Sequence, residues 1–229
     1  MAKPKLLVWD YGVNYAYPFN TTFDVVRIEH NLSPVGNIKA ADCILFTGGE
    51  DISPSLYGHH KIQGTHTNEE RDNLEEIIFS LAIEHNKPVL GICRGAQLAC
   101  AMAGGELIQH CTGHAAQGGH TIITEELEEL YMSSLHHQMM VPGEVKHRLL
   151  AWTEKLSSVY ESGYVLSRPD RMGAIRRDVL PYKDNLEPEV VFFEDIKALG
   201  IQGHPEMLSP NDHSKTIDWC NKVVKEYLL

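Results

Sequence analysis

Pro88-Val89-Leu90-Gly91-Ile92-Cys93-Arg94-Gly95-Ala96-Gln97 decides the architecture. A short apolar run reads as one buried strand, and the residues after Cys93 read as a helix. Glycines at matching spacing on either side of the cysteine permit a sharp strand-to-helix turn that presents the central side chain. Working outward, Leu6-Leu7-Val8-Trp9, Val25-Val26-Arg27-Ile28 and Cys43-Ile44-Leu45-Phe46 read as three earlier strands, the last stopped by Gly48-Gly49. Between the third and fourth strands, Leu74, Ile77, Ile78 and Leu81 at helical spacing predict an amphipathic helix starting at Asn68. Glu75, Glu76 and Glu84 are expected on its other faces. A helix is expected from just after Cys93 to Gly104-Gly105. A last one spans 212–227, with Ile217, Cys220, Val224 and Tyr227 as its apolar stripe. Segments 120–124, 149–152, 190–193 and 198–202 read as further strands, several of them antiparallel additions to the same sheet. The alternation predicts an α/β fold, a mostly parallel central sheet flanked by helices, in one domain spanning 1–229.

The chain has 229 residues, 43% hydrophobic and 22% charged, which suits a globular protein with a full core. No apolar run approaches the roughly 20 residues of a membrane span. The formal net charge of -11 disfavours broad binding to nucleic acid or anionic membranes. Five widely spaced cysteines, an odd number, with no signal-peptide pattern ahead of them, predict a reduced, cytoplasmic protein. There is no Walker A pattern, and no length is left for a fused synthetase.

The predicted turn puts Cys93 at a helix N-terminus, where partial positive charge favours a thiolate. The N–H of Arg94 is free there to face an oxyanion. These are the needs of a nucleophile; a buried structural cysteine is the competing reading. A nucleophilic thiol needs a base with an orienting partner. Among 13 histidines, His204 in Gly203-His204-Pro205-Glu206 has the setting. It follows the apolar run 199–202 at the carboxyl end of an expected strand, with Glu206 in reach of its ring. Taken alone, that tetrapeptide is also an ordinary turn.

Together the two motifs resemble the class I glutamine amidotransferase superfamily, and the resemblance runs over most of the chain. It implies the flavodoxin-like architecture of that superfamily and a Cys-His-Glu triad. Cys93 would be the nucleophile, His204 the general base and acid, and Glu206 the orienter. Thr47-Gly48-Gly49-Glu50-Asp51-Ile52-Ser53-Pro54-Ser55-Leu56-Tyr57-Gly58 resembles a segment of the gamma-glutamyl-GABA hydrolase branch. So do Arg71-Asp72 and Ser134-Leu135-His136-His137-Gln138. The resemblance implies a second oxyanion donor at the Gly49 N–H beside that of Arg94. It also implies that Gln97 and the Ser134-Leu135-His136 backbone hold the α-amino and α-carboxylate of a glutamyl group.

The expected activity is hydrolysis of a small γ-glutamyl amide through a thioester. A glutaminase subunit feeding ammonia to a separate synthetase is the alternative, and an inactive relative kept as a binding module is a third. The amine leaving group and homo-oligomerisation stay open. Gly203 stands where the family carries a bulky residue, which predicts added room beside His204. The loop 55–67 is expected to line the same mouth.

His110-Cys111-Thr112-Gly113-His114 and His120, even with His136 and His137, lack complete paired zinc spacing. They read as a polar loop near the mouth, so neither metal nor cofactor is expected. Cys43, Cys100 and Cys220 read as packing residues. Asp10-Tyr11-Gly12 reads as a strand-end turn.

Overall fold

The structure, a computed structural model, describes residues 2–9, 14–28, 31–115, 118–154, 156–163 and 186–229. Asp10-Tyr11-Gly12 lies outside the described residues. The first half alternates β1 (Lys5–Val8), β2 (Asp24–Arg27), α1 (Pro34–Ala40), β3 (Cys43–Phe46), α2 (Glu69–Glu84), β4 (Val89–Ile92) and α3 (Arg94–Met102). The second half is strand-rich: β5 (Glu106–Ile108), β6 (His110–Cys111), β7 (Gly119–Thr124), β8 (Glu129–Ser133) and β9 (Met139–Val141). It continues through β10 (His147–Glu154), β11 (Tyr160–Glu161), β12 (Leu186–Phe193) and β13 (Ala198–Ile201) to α4 (Ser214–Leu228).

Nine of these strands form one sheet in the order β2-β1-β3-β4-β13-β12-β10-β7-β8. Pairings from β2 through β13 are parallel, and those from β13 through β8 are antiparallel. This is the expected mostly parallel core with antiparallel additions. Its strands alternate their side chains between two cores. Leu6, Leu45, Leu90, Leu199 and Ile201 face α4, which contributes Trp219, Cys220, Val223 and Val224. Leu7, Ile44, Phe46, Val89 and Ala198 face the other way, toward Ile38 of α1, Phe79 of α2 and Ala99 of α3. With both faces covered, the central strands read as unbroken apolar runs. Among the described residues no helix is long and apolar enough to cross a membrane.

α2 corrects one expectation. Asn68 caps it as foreseen, its side chain accepting from the Arg71 N–H at 3.1 Å. Its buried face, however, is Asp72, Glu75, Ile78, Phe79 and Ala82. Leu74 and Ile77 are exposed, and Glu75 is buried. The helix turns two acids inward because a buried arginine meets them there.

Candidate active site

Cys93 follows β4 and caps α3 with φ 51° and ψ −105°. A non-glycine residue in such a region costs on the order of 1–3 kcal/mol and persists only where its surroundings hold it. The flanking glycines allow that hold. A Cβ on Gly91 would run into the carbonyl of Gly95, and one on Gly95 into the carbonyl of Phe46. Their absence lets β4, α3 and β3 meet closely. The Cys93 N–H donates to Ile201 O of β13 at 2.8 Å, and Cys93 O accepts from the Ala96 and Gln97 N–H groups. The turn is thus tied to the strand that carries His204.

His204 follows β13, and its N–H donates to Ser133 O at 2.7 Å. Its Nδ1 lies 2.7 Å from Glu206 Oε1, and both side chains are almost wholly buried. Cys93 acts electrostatically on the same ring. Burial favours the neutral ring, but Cys93 and Glu206 together outweigh it and raise the His204 pKa to about 10. The arrangement therefore favours an imidazolium. Tyr15 packs against this ring, centroids 6.3 Å apart, a neighbour that no sequence motif announced.

Arg94 opens α3, so its N–H is one of the donors that a helix leaves without an internal acceptor. Its side chain is buried and ion-paired with Glu75 and, at 2.5 Å, with Asp72. Glu75 also binds Arg71 at 2.9 Å. Arg71 in turn reaches Thr47 Oγ1 at 3.2 Å, Gly48 O at 3.1 Å and Glu50 at 3.2 Å. One charge network thus links the first residue of the helix that Cys93 caps to the Gly48-Gly49 turn. Gly49, at φ 151°, has no room for a Cβ because the Arg71 guanidinium lies against it. That gives the Arg71-Asp72 pair a physical task, holding the two expected oxyanion donors in register.

A cleft of about 210 Å³ opens here, lined by Gly49, Glu50, Asp51, His66, Cys93, Gln97, Leu135, His136, His137 and Gln138. Gln97 sits in its wall with Nε2 3.4 Å from Gln138 O. Leu135 and His136 also line it. Ser134 does not: its side chain is buried, and its N–H donates to Gly118 O at 3.1 Å. Its amide is therefore committed to holding the segment in place. Asp51 shapes the rim, accepting from the His66 N–H at 2.8 Å and pairing with His137 at 2.9 Å. That ion pair raises the His137 pKa against a smaller effect of burial. The loop 55–67 reaches the cleft only through His66; Tyr57, His59 and Thr65 are buried.

Gly203 departs from expectation. A Cβ there would lie 2.8 Å from Ser133 O and 3.0 Å from Met132 Sδ, and closer still to Met132 Cγ. The missing side chain admits β8, not substrate.

The histidine-rich stretch also behaves differently. His114 is buried rather than set in a polar loop, between Glu187 at 2.9 Å and Glu189 at 3.3 Å. Burial alone would lower its pKa, but the two carboxylates raise it to about 9. Cys111 pairs with Tyr160 across β6 and β11, its thiol pushed upward by burial. Buried Glu187 and Glu189 carried no sequence signal beyond sharing the period-two face of Val191 and Phe193.

Comparison with known proteins agrees with this architecture. The Peptidase C26 family profile matches residues 27–158, a span that contains Cys93 but ends before His204. A glutamine amidotransferase-like protein of Lactococcus lactis subsp. cremoris is 38% identical over 140 residues, covering 52% of this chain and 74% of that protein. A glutamine-hydrolyzing GMP synthase subunit of Methanopyrus kandleri is 28% identical over 202 residues, covering 88% and 89%. The crystal structure of a glutamine amidotransferase from Thermotoga maritima superposes with a TM-score of 0.54 at 11% identity, covering 100% and 95%. The chain belongs to the Peptidase C26 family, hydrolases of the class I glutamine amidotransferase type.

Proposed function

We propose that this protein hydrolyses the amide bond of a small γ-glutamyl compound, with Cys93, His204 and Glu206 as its triad. Most support comes from His204, which hydrogen-bonds Glu206 and interacts electrostatically with Cys93, beside a cleft lined by Cys93, Gly49 and Gln97. The Cys93 thiolate attacks the δ-carbonyl carbon. The carbonyl oxygen takes the electron pair and rests on the N–H groups of Gly49 and Arg94. As the C–N bond breaks, the His204 imidazolium gives its proton to the departing amine, leaving a γ-glutamyl thioester. Neutral His204 then takes a proton from water, whose oxygen attacks the thioester. Glutamate leaves and the thiolate–imidazolium pair returns. Gln97, a donor and acceptor in the cleft wall, suits the zwitterionic head of the glutamyl group.

A second reading has its own support: the GMP synthase relative is a subunit whose name states that it hydrolyses glutamine. In that role, this chain would need a synthetase partner for full activity. Assaying the isolated protein against glutamine and a panel of N-substituted γ-glutamyl amides separates the two. The hydrolase reading expects higher kcat/KM for a substituted amide. A preference for glutamine, or near-inertness until a partner is added, would replace it with ammonia delivery.

A further inference from the structure

Behind the cleft, three histidines from separate segments converge on one carboxylate. His114 comes from the connection between β6 and β7, His120 from β7 and His136 from the segment after β8; Glu189 is on β12. The side chains of His114, His136 and Glu189 are 0–1% exposed. His114 Nδ1 is 3.3 Å from Glu189 Oε1, and His136 Nε2 is 3.8 Å from the same oxygen. The candidate ligand atoms of these three residues all lie within 4.8 Å of one another.

The outward nitrogens of both rings are already engaged. His114 Nε2 lies 2.9 Å from Glu187 Oε2, and His136 Nδ1 lies 2.8 Å from Gln138 O. In a neutral imidazole, a ring N–H that donates outward to an oxygen leaves the opposite nitrogen with its lone pair facing in. Among the described residues, His136 Nε2 and Glu189 Oε2 have no hydrogen-bond partner, and His114 Nδ1 meets only the Glu189 carboxylate, at 3.3 Å. A buried ring nitrogen and carboxylate oxygen left without a donor are costly. One proton on His114 would serve its contact with Glu189 and still leave His136 Nε2 and Glu189 Oε2 unpartnered.

We propose that His114 Nδ1, His136 Nε2 and the Glu189 carboxylate form a buried site for a divalent transition metal of zinc type. Imidazole and carboxylate ligands suit that ion, and three protein ligands leave one position for water. Ligands at 2.0–2.1 Å from a tetrahedral zinc lie about 3.3 Å apart, so the pair at 3.3 Å already fits and the pair at 3.8 Å closes by about half an ångström. His120 Nε2, 2.8 Å from Glu189 Oε1, orients the carboxylate. Glu187 does the same for His114 and is itself held by Tyr160 and by the N–H groups of Leu156 and Ser157. Outer partners of this kind are what metal-binding histidines require. The ion takes no part in the proposed bond-breaking steps. It staples the segment of Leu135, His136, His137 and Gln138, one wall of the cleft, to β12.

The test uses the whole chain and zinc itself. The protein is unfolded in chelator, then refolded with and without zinc, and metal content and melting temperature are measured. The expected result is one zinc per chain and a melting temperature raised by about 5–10 °C at a hundredfold excess over Kd. Refolding with cobalt should give the visible absorption of a tetrahedral site. Glu189→Gln should lose the metal and the shift, whereas Cys111→Ser should keep both. Wild type that binds no zinc and shows no shift would overturn the proposal, whether or not the variants fold. Zinc kept by Glu189→Gln and lost from Cys111→Ser would also overturn it, by placing the ion elsewhere. The readouts are independent of activity, so the result does not depend on the γ-glutamyl reading.

Discussion

Replacing Gly203 with alanine separates packing against β8 from room for substrate. The added Cβ would sit 2.8 Å from Ser133 O and 3.0 Å from Met132 Sδ. Met132 is fully buried, and Ser133 O is the acceptor of the His204 N–H, so neither can move away freely. Overpacking of this kind costs typically 1–3 kcal/mol. At about 2–4 °C per kcal/mol for a chain of this size, the melting temperature should fall by roughly 2–12 °C. Relief must come from shifting β8 or His204, and misplacement of a catalytic group by ~1 Å costs ~100-fold in rate. Thermal unfolding by circular dichroism gives the first number. Turnover of glutamine and of a bulky γ-glutamyl amide gives the second. Both substrates should lose rate together, because what moves is His204 rather than the mouth of the cleft. A melting temperature within ~1 °C of wild type, with loss confined to the bulky amide, would refute the packing argument and restore the open-pocket reading.

Other outcomes follow from the same contacts. With the His204 pKa raised from 6.5 to about 10, kcat/KM should fall as pH rises through about 10, where the proton for the leaving amine is lost. By the same sign, the stabilisation from this histidine is fully present below 6.5 and disappears through about pH 10, which pH-dependent unfolding would read. Glu206→Gln should move the alkaline limb to lower pH and slow turnover less than His204→Ala; the reverse order would remove the orienting role of Glu206. Glu75→Ala strips one carboxylate from buried Arg94, which keeps Asp72, and one from Arg71, which keeps Glu50, Thr47 and Gly48 O, so the cost in urea unfolding should approach the lower end of about 3–5 kcal/mol. Its kcat should fall as well, because Arg71, which holds the Gly48-Gly49 turn, loses one of its anchors; unchanged stability would contradict the network.

Much of this was legible in the chain because the central strands are short apolar runs ended by glycine. Cys43–Phe46 was bounded correctly for that reason. The turn at Cys93 was legible because its glycines serve close approach, which leaves a local signature. The face of α2 was misread because periodicity counts apolar residues, and here Asp72 and Glu75 turn inward to meet Arg94 from another helix. Glu187 and Glu189 were invisible for a related reason. A buried carboxylate is recognisable only by its partners, and His114, His120 and His136 lie far away along the chain. Gly203 was misjudged because the sequence marks a missing side chain without saying which neighbour occupies its place.

The most direct test of the proposed mechanism is covalent. The protein is mixed with a γ-glutamyl amide that acylates faster than it hydrolyses, quenched in acid, digested and mapped by mass spectrometry. The mechanism predicts a γ-glutamyl adduct on the peptide carrying Cys93, absent from Cys93→Ala, which should fold and lose several orders of magnitude in rate. An adduct on Cys43, Cys100, Cys111 or Cys220 instead, or full turnover by Cys93→Ala, would contradict it.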